Sequence, residues 1–402
     1  MFKSLNLKII VFGFIFTFFS SFGQSFFLGI FNPSIRNELL ISHGQFGTIY
    51  ALATLASSFL LIWVGKKIDD INISRFALLV ILLLSLSCFL FSRISSLTLL
   101  FFSIFLMRFS GQGMMSHTAT TTISRYFTKS RGKALSSGWF GLSSAEFILP
   151  VLMIYLLTIT DWRNIWVIIS IITIVFLPLV SYALVKNINF DSREITGKKE
   201  FNEKNIKQWK RVEVIKDFRF YIICANMLAM PWIATGIFIY QSFILSSKDW
   251  GSYVIAQSFM AYSVLSVITL FISGFLIDKF TSRKLLIYMN IPLFMAVIVI
   301  FYFNNPISSF VFLGLIGISN GFANVLGSST WAEIYGVKHI GSIKALTTAL
   351  MVFSTAFGTA LFGILIDRGF SIEQISIVAG IYIFISLISL FFIRKRLNPI
   401  II

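Results

Sequence analysis

The chain has 402 residues, of which 57% are hydrophobic and only 12% charged, with a formal net charge of +17. A soluble domain carries about 25% charged residues, so the composition excludes one and indicates a polytopic membrane protein. The positive excess does not indicate a nucleic-acid partner either. Its cations sit in short loops between apolar runs, and no basic stretch is interleaved with aromatics.

Apolar runs of spanning length are predicted at 9–32, 45–64, 76–92, 97–124, 134–158 and 163–185, and again at 219–245, 251–273, 285–303, 308–335, 342–366 and 372–393. The first follows Lys3 and Lys8 and stays apolar too long for a signal peptide, so it reads as a retained helix. The only two cysteines, Cys88 and Cys224, lie inside apolar runs, a spacing that offers neither a disulfide framework nor a metal site. The expected fold is an all-α membrane protein of twelve transmembrane helices.

With the N-terminus in the cytoplasm, 27 of the 33 Lys and Arg fall on that side. Arg36, Arg93, Arg163, Lys248 and Arg368 fall on the other, and Arg108 is inside a helix. That asymmetry predicts both termini in the cytoplasm. The composition, with very short outer loops, suits a bacterial inner membrane. Residues 1–186 form a first six-helix half, 187–217 a mixed-charge linker and 218–402 a second half. Trp209 and Val212 of the linker are expected to rest on the membrane interface, where a short amphipathic helix would fit.

The halves repeat one another. GKKIDD at 65–70 recurs as GFLIDK at 274–279, RGKAL at 131–135 as SIKAL at 342–346, and QSFFL at 24–28 as QSFIL at 241–245. Three collinear matches predict two parallel six-helix repeats, an architecture with its substrate site near the bilayer midplane between them.

The fourth predicted helix places Arg108 roughly 16 Å below its start, near the midplane, at 1.5 Å rise per residue. A guanidinium there is costly unless it meets a partner or a wet cavity, which marks it as a functional candidate. Glu146 stands at similar depth on the antiparallel fifth helix, so the two are expected to pair. Arg108 is read as the anion anchor and Glu146 as its competing partner or proton carrier; the alternative is a pair that only braces the two helices. Gln24 and Gln241 occupy matching places in the first and seventh helices, with Tyr240 beside the second, and Gln112 and Asn320 lie in the fourth and tenth. These are candidate substrate-binding residues, or helix–helix glue. Tyr50, Gln257, Tyr262 and Asn324 are candidate lining residues. His117 reads as a solvated residue, and Glu333 as the partner of a loop cation. Arg125, Lys129, Arg131 and Lys133 read as a headgroup anchor.

Gly65-x-x-x-Asp69 and Gly274-x-x-x-Asp278-Lys279, followed by Arg283-Lys284, are placed in the loops after the second and eighth helices. There they resemble the signature loop of the major facilitator superfamily of secondary transporters, although Asp70 stands where a basic residue is usual. The resemblance implies that Gly65, Asp69, Gly274, Asp278, Lys279 and Arg283 form a gate at the cytoplasmic mouth. FGQSFF at 22–27, RYFTKSRGKALSSG at 125–138 and Asp161-Trp162-Arg163 are similar to the monocarboxylate-porter branch, which implies symport of a small carboxylate with a proton by alternating access. The charged residues such porters use in the first, seventh or eighth helices have no counterpart here. Gly138, Gly141 and Pro150 give only part of the glycine-and-proline pattern of drug antiporters.

No nucleophile elbow, phosphate loop, HExxH helix or metal-ligand cluster is present, so neither an enzyme, a cofactor nor a metal is expected. The expected partners are a small anionic substrate, a proton and the lipid bilayer, and the expected state is a monomer. Export or exchange of another metabolite is the alternative, as is a membrane sensor or scaffold without transport.

Overall fold

The computed structural model describes residues 2–68, 70–127, 131–186, 207–336 and 338–400. Among them, twelve helical spans are long and apolar enough to cross a membrane. They are α1 (Asn6–Leu39), α2 (His43–Ile68), α3 (Ile73–Ser92), α4 (Leu97–Tyr126), α5 (Lys133–Ile159) and α6 (Trp162–Val185), then α7 (Phe218–Ile239), α8 (Tyr253–Ile277), α9 (Ser282–Tyr302), α10 (Pro306–Tyr335), α11 (Ile340–Asp367) and α12 (Ile372–Leu397). In lipid every backbone N–H and C=O must be satisfied within the protein, which leaves runs this apolar the helix as their structure. Polar residues set the starts. Ser42 and Gln45 form a reciprocal capping box on α2, Ser371 and Gln374 another on α12, and Asp161, Asp217 and Asn305 cap α6, α7 and α10.

The chain divides into two compact units, Met1–Glu200 and Phe201–Ile402. Both pair their helices in one pattern: α1 with α5, α2 with α4 and α3 with α6 in the first, and α7 with α11, α8 with α10 and α9 with α12 in the second. Small residues make the contacts close, as expected where lipid supplies no hydrophobic drive between helices. A Cβ on Gly141 would strike the Phe14 carbonyl of α1, and one on Gly317 the Tyr262 carbonyl of α8.

At the end of each unit away from Lys66, Lys67 and Arg283, an ion pair ties its first helix to its last. Arg163 at the start of α6 pairs with Glu38 near the end of α1, and its Nη1 donates to the Ser92 carbonyl at 2.6 Å. Lys248, at the end of the short helix Gln241–Ser247 that follows α7, pairs with Glu373 at the start of α12 at 2.7 Å and donates to Asn304 Oδ1 at 2.6 Å.

The linker and the second repeat loop depart from expectation. Trp209 does not rest on the interface. It is buried in the core of the second unit with Tyr335 and Trp331, and its backbone N–H donates to the Tyr335 carbonyl at 3.0 Å, whereas Val212 is exposed. The short helix Arg211–Lys216 follows, where Glu213 accepts from the Lys210 N–H at 2.7 Å and pairs with Lys207 at 3.0 Å. Those contacts hold the Glu213 carboxyl below its ordinary value. Residues 187–206 of the expected linker lie outside the described residues. The second departure is Gly274–Lys279, which is not a loop: the α8 helix runs on to Phe280.

Candidate functional site

The site in the first unit is built on two interrupted helices. The α1 ladder stops at Ser20, passes through a 3-10 turn at Ser21–Gly23 and an extended Gln24, and restarts with the Leu28 N–H on the Gln24 carbonyl at 3.0 Å. Opposite, α4 changes to a π-helix over Arg108–Met115. Interruptions of both kinds are over-represented at functional positions in membrane carriers and helical proteins. Glycine allows the two to touch: a Cβ on Gly111 would lie 2.7 Å from the Gly23 nitrogen, and one on Gly23 would strike the Met107 carbonyl and the Gln112 nitrogen.

Arg108 opens the π-helix and is 4% exposed. Its Nη1 donates to the Gly23 carbonyl at 3.0 Å, and its guanidinium carbon lies 5.3 Å from the centre of the Tyr50 ring on α2. Its Nε has no hydrogen-bond partner, and no acidic side chain pairs with it among the described residues. The expected pair with Glu146 is therefore not formed. Equal depth gives equal height but not a shared face: α5 packs on α1 through Gly138 and Gly141, while the guanidinium turns to the α1 break and Tyr50. Glu146 is 8% exposed. It makes no ion pair or hydrogen bond to a described residue, so two buried ionisable groups stand in one unit without each other.

In the second unit Tyr240 interrupts the helix where α7 ends, and a short helix, Gln241–Ser247, follows. Tyr240 donates its hydroxyl to the Thr359 carbonyl of α11 at 3.1 Å, and Gln241 Nε2 folds back onto the Phe238 carbonyl at 3.0 Å. Gln24 and Gln241 thus share more than a sequence echo: each follows a break in the first helix of its unit. Gln24 and Gln112 are half-buried, with no side-chain hydrogen bond to a described residue. Asn320 is engaged, its Nδ2 donating to Ser266 Oγ on α8 at 3.0 Å. Tyr50 and Tyr262 are buried, while Gln257 and Asn324 are exposed.

The expected gate residues fall at the opposite end of each unit from the ion-pair clasps. Gly65 begins the 3-10 turn that ends α2. His117 is not merely solvated: its Nε2 donates to the Gly65 carbonyl at 3.0 Å, and Arg125 Nη1 donates to the Ile68 carbonyl at 3.1 Å. The end of α4 therefore grips the end of α2. Asp69, Lys129 and the side chains of Asp278 and Arg131 lie outside the described residues. In the second unit Gly274 faces open space, and Lys279 lies 5.2 Å from the centre of the Phe280 ring. Arg283 pairs with Glu333 at 3.0 Å, and Glu333 also accepts from the Ser282 N–H at 2.8 Å, capping the start of α9.

A buried ionic cluster lies where the sequence shows only linker composition. Arg219 donates to Asp217 at 2.7 Å and to the Arg396 and Asn398 carbonyls at 2.9 and 3.2 Å, while Tyr335 donates to Asp217 at 3.1 Å. The cluster ties the start of α7, the end of α10 and the C-terminal turn together.

Residues 13–359 match the sequence model of the Major Facilitator Superfamily. The chain belongs to this superfamily. Its members are secondary transporters, and the twelve-span, all-helical architecture is the superfamily's own. Two solved structures show the same fold. A bacterial homologue of the human lysosomal transporter Spinster, in an inward-facing and unoccupied conformation, aligns with a TM-score of 0.72 at 13% identity over 98% of both chains. The nucleoside transporter NupG aligns with a TM-score of 0.72 at 13% identity, again over 98% of both. No curated protein sequence matches the chain.

Proposed function

We propose that this transporter carries a small organic anion, a carboxylate, into the cell together with a proton. One observation supports the reading above the others: Arg108 is a buried guanidinium with an unused Nε–H and no acidic partner among the described residues. A charge held so deep calls for compensation, and a planar carboxylate is the natural match for the free edge of the fork. Gly23 and Tyr50 fix the guanidinium from behind, which leaves the substrate little ordering to do. Gln24 and Gln112, with unused amide groups nearby in sequence and fold, are assigned to the substrate's polar atoms. Gln241, Tyr240 and Asn320 are assigned a supporting role in the second repeat.

Glu146 is assigned the proton. It lacks a cation of its own, so binding and releasing a proton there changes the charge that accompanies the anion. The resemblance to monocarboxylate porters supports the same cargo class. We assign both termini to the cytoplasm of a bacterial inner membrane on the Lys and Arg asymmetry, and a gate role to Gly65, Asp69, Gly274, Asp278, Lys279 and Arg283. We retain residues 187–217 as the connection between two six-helix halves that work by alternating access.

Thermal melting of the purified protein against a panel of organic acids tests the cargo. At least one carboxylate should raise the melting temperature of the wild type and leave Arg108→Gln unmoved. Equal stabilisation of both proteins removes the anchor role. A second reading, exchange of an uncharged metabolite, is favoured by the bond from Arg108 to Gly23, which would make the guanidinium a brace. In that case Arg108→Gln melts lower but keeps its ligand profile.

A further inference from the structure

A cavity of about 750 Å³ opens in the second unit between the end of α8, the start of α9 and the end of α12. Its walls are apolar, with Leu276, Phe280, Ile287, Ile291, Leu390 and Phe391 on three sides. Its rim is cationic: Arg283, Lys284, Arg394 and Lys395 all border it. Arg283 is committed to Glu333. Lys284, Arg394 and Lys395 are exposed, and none of them pairs with an acidic side chain among the described residues. Arg394 is held at the rim by Phe391, its guanidinium carbon 4.0 Å from the ring centre.

We propose that this cavity holds an anionic phospholipid, the headgroup phosphate among Lys284, Arg394 and Lys395 and the upper acyl chain along the apolar walls. An uncompensated cluster of cations over apolar helix surface matches an amphiphile whose charge sits at one end. A free phosphate would satisfy the rim and leave the walls bare, and a zwitterionic lipid would bring a cation into a cationic rim. The cavity lies at the ends of three spans, where a bilayer places its headgroups. Phe280, Phe391 and Tyr288 are large, exposed side chains at that level, suited to chain contact. Leu397 and Asn398 also line the cavity, and the Asn398 carbonyl accepts from Arg219, so the lipid would rest against the turn that the Asp217–Arg219 pair anchors.

The test is native mass spectrometry of the full chain in neutral detergent, titrated with phosphatidylglycerol, phosphatidylcholine or glycerol phosphate. A cation beside an anionic headgroup contributes about a fivefold factor, so replacing all three should weaken phosphatidylglycerol binding on the order of a hundredfold. The triple variant is Lys284→Gln, Arg394→Gln and Lys395→Gln. A charge-matched control, Lys8→Gln, Lys66→Gln and Lys344→Gln, outside the cavity, should bind as the wild type does. Phosphatidylcholine bound as tightly as phosphatidylglycerol overturns the proposal, as does a triple variant that binds normally. Glycerol phosphate that binds as well as the diacyl lipid makes this a free-anion site and also overturns it. Should the triple variant fail to assemble, Lys395→Glu alone must weaken phosphatidylglycerol binding, and unchanged binding in that variant overturns the proposal equally.

Discussion

Arg108 and Gly23 join two interrupted helices through one hydrogen bond of 3.0 Å, from the guanidinium Nη1 to the glycine carbonyl. Lysine at position 108 would keep the charge but lose the planar fork, and with it either the Gly23 bond or the hold on a carboxylate. A charge-assisted hydrogen bond contributes about 1.5–3 kcal/mol, so Arg108→Lys should slow uptake of the anion roughly 10- to 100-fold while the folded yield is kept. Uptake in proteoliposomes measures this, and a wild-type rate shows that the fork geometry is not used.

Glu146→Gln removes an ionisable group with little change of volume. Proteoliposomes carrying it should no longer concentrate substrate against its gradient when a pH difference is imposed, yet should still exchange labelled for unlabelled substrate. Accumulation at the wild-type level under the same pH difference moves the coupling role to another residue.

The glycines separate into two classes by what a methyl group would meet. Gly23→Ala forces a Cβ into the backbone of α4, and Gly111→Ala forces one to within 2.7 Å of the Gly23 nitrogen. Overpacking of this kind costs about 1–3 kcal/mol, so both variants should melt several degrees lower. Gly274 lies inside a helix and faces open space, so Gly274→Ala should hold or gain about 0.5–1 kcal/mol. Melting curves in one detergent decide it, and a Gly274→Ala protein as damaged as Gly23→Ala contradicts this packing.

Asp217 and Arg219 form a buried pair whose members also hold Tyr335 and the C-terminal turn. Breaking a buried pair leaves one charge uncompensated, which costs about 3–5 kcal/mol. Asp217→Asn keeps an N-cap oxygen for the Arg219 N–H but removes the charge and turns the oxygen that accepts from Arg219 Nε and Tyr335 into an amide donor, so a large loss of stability is expected. Tyr335→Phe removes a single hydrogen bond and should cost about 1 kcal/mol. The two thermal shifts compared give the check: similar small shifts would show that the charge is solvated after all.

The twelve spans are legible in the sequence because length and apolarity suffice to set a helix in lipid, and the repeat is legible because its three matches keep the same order in both halves. What composition cannot give is azimuth. Residue spacing places Arg108 and Glu146 at one height, but the π-helix at Arg108–Met115 alters the winding of α4 at that level. A break in α1 is signalled only by Gly23 followed by Gln24 and Ser25, and its contact with Gly111 needs the fold. Trp209 has the surroundings of a linker residue in sequence, yet it closes the core of the second unit. His117 and Arg125 resemble surface groups because their acceptors are backbone carbonyls, which a sequence does not distinguish.

The two clasps have opposite polarity: the acid is on the first helix in one repeat, Glu38, and on the last in the other, Glu373. Grafting the start of α12 onto α6 alone would therefore set one carboxylate against another, and grafting the start of α6 onto α12 would set Arg against Lys. Interchange between the repeats is tolerated only when both ends of a clasp travel together. Each half is thus matched to its own complement, and the equivalent helix starts of the two halves are not spare copies of each other.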